Sequence, residues 1–275
     1  MSRLQTRYDA LRTADKKAVV PYIVAGDPSV SATVPLMHRL VAAGADVLEL
    51  GVPFSDPMSE GPVIQLGHER ALENGVSLRG VLAMVSAFRE EDTETPVVVM
   101  GYANPVERMG HEAFADACAS AGVDGVITVD LPPEEVDGLN EHLIRVGIDN
   151  IFLISPTTPD ERISTIVSRA SGFIYYVAVK GVTGAGNLDV ADVRHHLGLI
   201  RAVSSLPVAV GFGIKDAASA SNVAAIADGV VVGSALIDTI AQGIANGDTE
   251  AAAIDKAVAL LTDIRAGVNK VASAP

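Results

Sequence analysis

The sequence predicts an α/β fold, a closed (β/α)8 barrel of the TIM type with one extra N-terminal helix. Three observations carry that expectation: eight short β-branched runs, nearly continuous apolar character within most of them, and longer helical patterns between one run and the next. Continuous apolar runs are the mark of parallel strands covered on both faces, and parallel strands require crossover connections of the helical kind. Pattern alone also admits an open doubly wound sheet of six strands with extensions, but eight units favour closure. A length of 275 residues suits one such barrel, so residues 1–275 are expected to form a single domain.

The elements follow in order. Residues 2–14 form the extra helix, with Leu4, Tyr8 and Leu11 on one face, suited to plug the N-terminal end of the barrel. Strands are expected at 18–25, 46–51, 96–102, 125–130, 150–155, 173–179, 207–211 and 229–232. Between the first two, Val34, Met37, Leu40 and Val41 share a helical face ahead of the stop Ala42-Ala43-Gly44, and Pro35 fits only near that helix's start. Phe114, Ala117 and Cys118 share a face before Ala121-Gly122. Three units close on similar wording, Ala43-Gly44-Ala45-Asp46, Ala121-Gly122-Val123-Asp124 and Arg145-Val146-Gly147-Ile148-Asp149, a helix stop followed by strand entry. An Ala-rich helix over 249–266 ends the domain, and 268–275 is expected to fray.

Composition narrows the function. With 34 acidic against 20 basic residues the formal charge is −14, which repels nucleic acid and anionic lipid, so neither is an expected partner. No apolar run approaches the roughly 20 residues of a membrane span, and the first residues lack the apolar stretch of a secretory signal. With Cys118 as the single cysteine, the expectation is a cytoplasmic chain without disulfides, its thiol packed on a helix face. The six histidines show no zinc-ligand spacing and are expected at the surface, and no metal site is expected.

In such barrels chemistry sits at the C-terminal ends of the strands. Glu49 lies within the second strand, where an ionised carboxylate is costly to bury, so it is expected to hold a proton near neutral pH. A Glu turned outward and paired with a helix would fit the same pattern. The following loop, from Val52 to Pro62, contains Pro53, Pro57, Gly61 and Pro62 and is too stiffly punctuated for a plain linker. Glu60 near its end is placed to fold back towards Glu49 and complete a pair of carboxylates. A phosphate site is expected from the glycines after the last three strands, where Gly184, Gly213 and Gly233 allow close approach of backbone amides and Ser234 adds a hydroxyl at a helix start.

The run Leu48-Glu49-Leu50-Gly51-Val52-Pro53-Phe54-Ser55-Asp56-Pro57, continued by Gly61-Pro62-Val63-Ile64-Gln65, resembles the signature of the tryptophan synthase alpha chain family. Further similarity lies in Ala25-Gly26-Asp27-Pro28, Met100-Gly101-Tyr102-Ala103-Asn104-Pro105, Gly181-Val182-Thr183-Gly184 and Gly211-Phe212-Gly213-Ile214. The resemblance implies retro-aldol cleavage of indole-3-glycerol phosphate into indole and glyceraldehyde 3-phosphate. It also implies an alpha2beta2 assembly with a beta chain that carries pyridoxal phosphate, this chain itself holding no cofactor. It makes Glu49 the proton-transfer residue, places Tyr175 beside it, and assigns Tyr22, Met100, Tyr102, Ile127, Leu153, Thr183 and Phe212 to substrate contact. Where the family pattern has Asp, this chain has Glu60; and Ala178 stands where the family often has serine. The same resemblance places the beta chain against Pro53, Phe54, Asp56 and the Asn104-Pro105 segment, with Phe54 expected as an exposed apolar tip.

Overall fold

The computed structural model describes residues 2–178, 190–211 and 213–271. Among these the chain runs α1 (Arg3–Thr13), β1 (Ala18–Val24), α2 (Val30–Ala42), β2 (Leu48–Gly51), α3 (Pro62–Glu73), α4 (Leu78–Arg89), β3 (Val97–Gly101), α5 (Ala103–Met109), α6 (His111–Ala121) and β4 (Gly125–Thr128). It continues with α7 (Asp137–Val146), β5 (Asp149–Asn150), β6 (Phe152–Ile154), α8 (Asp160–Arg169), β7 (Ile174–Val177), α9 (Val190–Val203), β8 (Val208–Gly211), α10 (Ala217–Ala224), β9 (Gly229–Val232), α11 (Ser234–Ala245) and α12 (Glu250–Asn269). No described helix is long and apolar enough to cross a membrane.

All strand pairs are parallel, in the order β5-β4-β3-β2-β1-β9-β8-β7-β6. The two ends of that series, β5 and β6, are halves of one segment broken only at Ile151. The first half pairs with β4 and the second with β7, so the sheet closes on itself as a barrel of eight segments. Each of the eight expected runs therefore corresponds to one barrel segment, and alternation of strand and helix has produced closure rather than an open sheet.

Two layers of core result. Leu36, Leu40, Val81, Phe88, Phe114 and Leu139 pack in the layer between helices and barrel, while Val20, Val47, Val98, Ile127, Ile151, Phe173 and Val231 fill the barrel interior. Helix α1 closes the floor: Leu4, Tyr8 and Leu11 are buried and belong to the interior cluster. A methyl added at Gly125 would come within 3.0 Å of Leu4 Cδ1, which shows how tightly that leucine is seated. Leu4→Ala is expected to destabilise the fold by about 2–5 kcal/mol, read from urea unfolding.

The repeated Gly-X-Asp wording has a structural meaning. Gly44, Gly122 and Gly147 adopt left-handed φ values of 102°, 81° and 74°, which end their helices. The aspartates that follow two of them then accept strand amides that open the neighbouring strand, Asp46 from Val19 at 2.9 Å and Asp124 from Val97 at 2.8 Å. Arg265 is paired with Asp46, and Arg3 and Arg89 with Asp124, so these nearly buried carboxylates are not left as lone charges.

Helix α2 departs from expectation. It is capped by the Ser29 hydroxyl, which accepts from Ala32 N–H, so Pro35 lies well inside the helix rather than near its start. The missing amide falls on the solvent side, where Pro35 and Ser31 are exposed and water can serve the freed carbonyl. The histidine expectation also fails at one position. His68 is buried, 2% exposed, because α3 packs against β1 and turns that side chain inward.

Candidate active site

At the C-terminal end of the barrel a cavity of about 520 Å³ is lined by Tyr22, Glu49, Glu60, Met100, Tyr175, Gly213, Gly233 and Ser234, together with Ser59, Ile64 and Lys215. Eight of the expected site residues thus meet in one space. Ile127 and Leu153 instead belong to the barrel-interior packing, and Tyr102 is buried outside the cavity lining. Thr183, Gly184 and Phe212 lie outside the described residues.

Glu49 is placed by β2, whose register sets it beside Tyr22 of β1 and Val98 of β3. It is 1% exposed, and neither carboxylate oxygen has a hydrogen-bond partner among the described residues. Burial, and then the charge of Glu60, push its pKa up to about 8. Burial alone raises Glu60 to about 7. The two carboxylates therefore differ in how readily they lose a proton. The more deeply buried Glu49 keeps its proton while Glu60 gives its own up first.

Glu60 is carried on the β2–α3 loop, and that loop is pinned along its length. Phe54 stacks on Tyr102 with ring centroids 5.0 Å apart, and the Tyr102 hydroxyl accepts the Ser59 amide at 3.3 Å. The Glu60 carbonyl accepts from Gln65 Nε2 at 2.9 Å, and the Phe54 amide donates to His68 Nδ1 at 3.0 Å. Phe54 is half-buried by these contacts, so it is not the exposed tip that the sequence suggests; Met58, 81% exposed, is the apolar side chain that the loop presents to solvent. The Ala25-to-Pro28 motif serves the same end of the barrel. Asp27 receives a two-pronged bond from Arg70, through Nε at 2.7 Å and an Nη at 2.8 Å, which ties α3 to the β1–α2 connection.

Two tyrosines wall the cavity in matching ways. Tyr22 of β1 lies over Gly51 of β2, where an added methyl would come within 2.3 Å of its hydroxyl, and Tyr175 of β7 lies over Gly211 of β8, where the same distance would be 2.4 Å. In each case the glycine is two residues beyond the tyrosine's register partner on the neighbouring strand. Burial and the nearby carboxylates hold both phenols well above their ordinary pKa, so they face the cavity as neutral groups.

Opposite the carboxylates, Gly213 with φ of 72° follows β8, and Gly233 leads β9 into α11, whose first residue is Ser234. The N-terminus of α11 thus opens on the cavity with no side-chain cap among the described residues and a favourable dipole for an anion. Sequence reasoning missed two residues here. The exposed Lys215, whose backbone amide is held by Ser219 Oγ at 3.1 Å, places a positive charge at the glycine end of the cavity. His68 was concealed by having no spacing signal, although its place four residues after Ile64 puts it one turn further along α3 on the same side as that cavity residue.

Known proteins give the same picture. Residues 8–268 match the family described as tryptophan synthase alpha chain. A tryptophan synthase alpha chain of Thioalkalivibrio sulfidiphilus is 61% identical over 242 residues, covering 88% of this chain and 91% of that one. One from Dechloromonas aromatica is 53% identical over 271 residues, covering 98% and 99%. Among solved structures, tryptophan synthase subunit alpha from Legionella pneumophila superposes with a TM-score of 0.90 at 45% identity, covering 98% of this chain and 99% of that one. A Mycobacterium tuberculosis tryptophan synthase structure gives 0.87 at 38% identity, covering 97% and 98%. The barrel, the carboxylate pair and these similarities together establish that the chain belongs to the tryptophan synthase alpha chain family, lyases that cleave indole-3-glycerol phosphate into indole and glyceraldehyde 3-phosphate.

Proposed function

We propose that Glu49 is the proton carrier of this cleavage and Glu60 its electrostatic partner. The observation that carries the assignment is a pair of carboxylates in one cavity whose pKa values are both raised towards neutrality or beyond, Glu49 the higher of the two. Glu49, protonated, gives its proton to C3 of the indole ring, which leaves positive charge on the ring nitrogen. Glu60, ionised, accepts the ring N–H and offsets that charge in a water-poor pocket. The Glu49 carboxylate then takes the proton of the side-chain hydroxyl as the carbon–carbon bond breaks. The bonding electrons return to the ring, the added proton stays on C3 of indole, the hydroxyl carbon becomes the aldehyde, and Glu49 ends protonated as it began.

The phosphate of the substrate is held by Gly213 after β8 and by Gly233 and Ser234 at the head of α11; Thr183, Gly184 and Phe212 are contacts that the family resemblance implies. Tyr22, Met100 and Tyr175 flank the indole ring, while Tyr102, Ile127 and Leu153 support that wall from behind. Lys215 adds the charge that backbone amides lack. Lys215→Met is expected to raise KM for indole-3-glycerol phosphate about fivefold at low salt with kcat within twofold, and the difference shrinks as ionic strength rises.

The released indole passes to a beta chain carrying pyridoxal phosphate, in an alpha2beta2 assembly in the cytoplasm. A groove of about 460 Å³ lined by Pro53, Phe54, Leu78, Arg79, Asn104, Pro105, Arg108 and Met109 supports that partner's placement beside the β2–α3 loop. The test is direct. Purified chain releases indole from indole-3-glycerol phosphate, and adding a beta chain raises the rate; no indole in either condition overturns the reading.

A further inference from the structure

The hydrogen bonds of His68 join two places that lie apart on the surface. Phe54 lines the groove beside Asn104 and Pro105, and Tyr22 lines the reaction cavity with Glu49 and Glu60. Between them stands the His68 ring, 2% exposed. Its Nδ1 accepts the Phe54 amide at 3.0 Å, which leaves the proton of the neutral ring on Nε2, 3.2 Å from the Tyr22 hydroxyl. Burial lowers the pKa of His68 to about 4, so the ring is neutral at ordinary pH and the direction of both bonds is fixed.

Both ends of this link are in packed contact, so a shift at either is passed on rather than absorbed. On the cavity side, the Tyr22 hydroxyl lies against Gly51 and the base of its ring against Gly233, where an added methyl would come within 3.0 Å of the ring. On the groove side, the Phe54 ring is stacked on Tyr102. A rigid planar ring with an acceptor on one side and a donor on the other suits such a link, because a displacement at one nitrogen must appear at the other.

We propose that His68 is a positioning residue that couples occupancy of the Phe54 groove to the reaction cavity. A partner seated on Phe54 sets the height of its amide, His68 carries that setting to Tyr22, and Tyr22 is part of the wall that Glu49 and Glu60 share. The inference rests on the groove being the beta-chain face, as proposed above.

The two bonds can be cut one at a time. In His68→Asn the side-chain amide falls where Nδ1 lies and reaches Phe54 but not Tyr22. In His68→Gln it falls where Nε2 lies and reaches Tyr22 but not Phe54. Tyr22→Phe removes the hydroxyl alone. For each, indole release is measured with and without saturating beta chain, beta-chain affinity by titration calorimetry, and folding by thermal melting. All three are expected to bind the beta chain yet lose about fivefold or more of the stimulation ratio. Tyr22→Phe in the His68→Asn background is expected to cost no further stimulation, because the link is already cut. Folded variants that bind the beta chain and keep the parent's stimulation overturn the coupling, as does full additivity in the double variant. Should His68 variants not fold, Tyr22→Phe alone decides. Failure of the parent itself to bind or respond to a beta chain instead overturns the partner placement.

Discussion

Glu49→Gln is expected to lower kcat for indole release by about 10²–10⁴-fold and, at the same time, to raise the melting temperature at alkaline pH. The rate loss follows from removing the only group that gives and retakes a proton in the proposed cycle. The stability gain follows from the raised pKa. The folded state holds the Glu49 proton up to about pH 8, whereas the unfolded chain releases it near the ordinary 4.5, so stability falls as pH rises through that interval. Glutamine carries no such proton. The variant should match the parent near pH 4–5 and exceed it by an amount that grows with pH and levels off above about 8, on the order of several kcal/mol at most. A melting difference that does not change between pH 5 and 8.5 would show that Glu49 is not buried as an acid.

The second large effect belongs to Glu60. Glu60→Gln keeps shape and hydrogen bonding but removes the charge that faces the ring nitrogen in the proposed cycle, and is expected to cost about 10²–10³-fold in kcat. It also changes the pH profile. With both carboxylates present, the proposed cycle requires Glu60 ionised and Glu49 protonated, so a narrow maximum is expected, bounded by apparent values near 7 and 8 that belong to the pair. Removing Glu60 abolishes the acid limb, and because its charge contributes to the high pKa of Glu49, the alkaline limb moves to lower pH. Glu60→Asp keeps the charge but draws it back by roughly 1 Å, and the loop cannot follow because Tyr102 holds Ser59 and Gln65 holds the Glu60 carbonyl. A loss of about tenfold in kcat is expected; a gain would mean that the longer side chain overreaches the ring.

Much of this was legible from residues alone, and the reason differs from place to place. The strands were readable because a parallel barrel strand is apolar on both faces, so runs such as 46–51 and 96–102 stand out without any alternation to decode. Glu49 was readable for the converse reason, as a charge in a run where burial is dear. The loop's prolines marked Glu60 as held in place, but not by what. Its anchors, Tyr102 and His68, arrive from β3's end and from α3, and contacts made across the fold leave no local spacing to read. Pro35 misled because the solvent side of a helix tolerates a missing amide that its interior would not. Phe54 misled in the opposite direction, since an aromatic in a loop looks like a surface feature until its stacking partner is known.

The glycines under Tyr22 and Tyr175 bear on how a mutational scan of this chain would look. Neither Gly51 nor Gly211 carries a functional group, yet a single methyl at either would collide with a tyrosine hydroxyl and force a ring that lines the cavity to move. Both positions should therefore score with the carboxylates in an activity screen while thermal melting moves far less. Two walls of the cavity thus depend on side chains that are absent, as much as on those that are present.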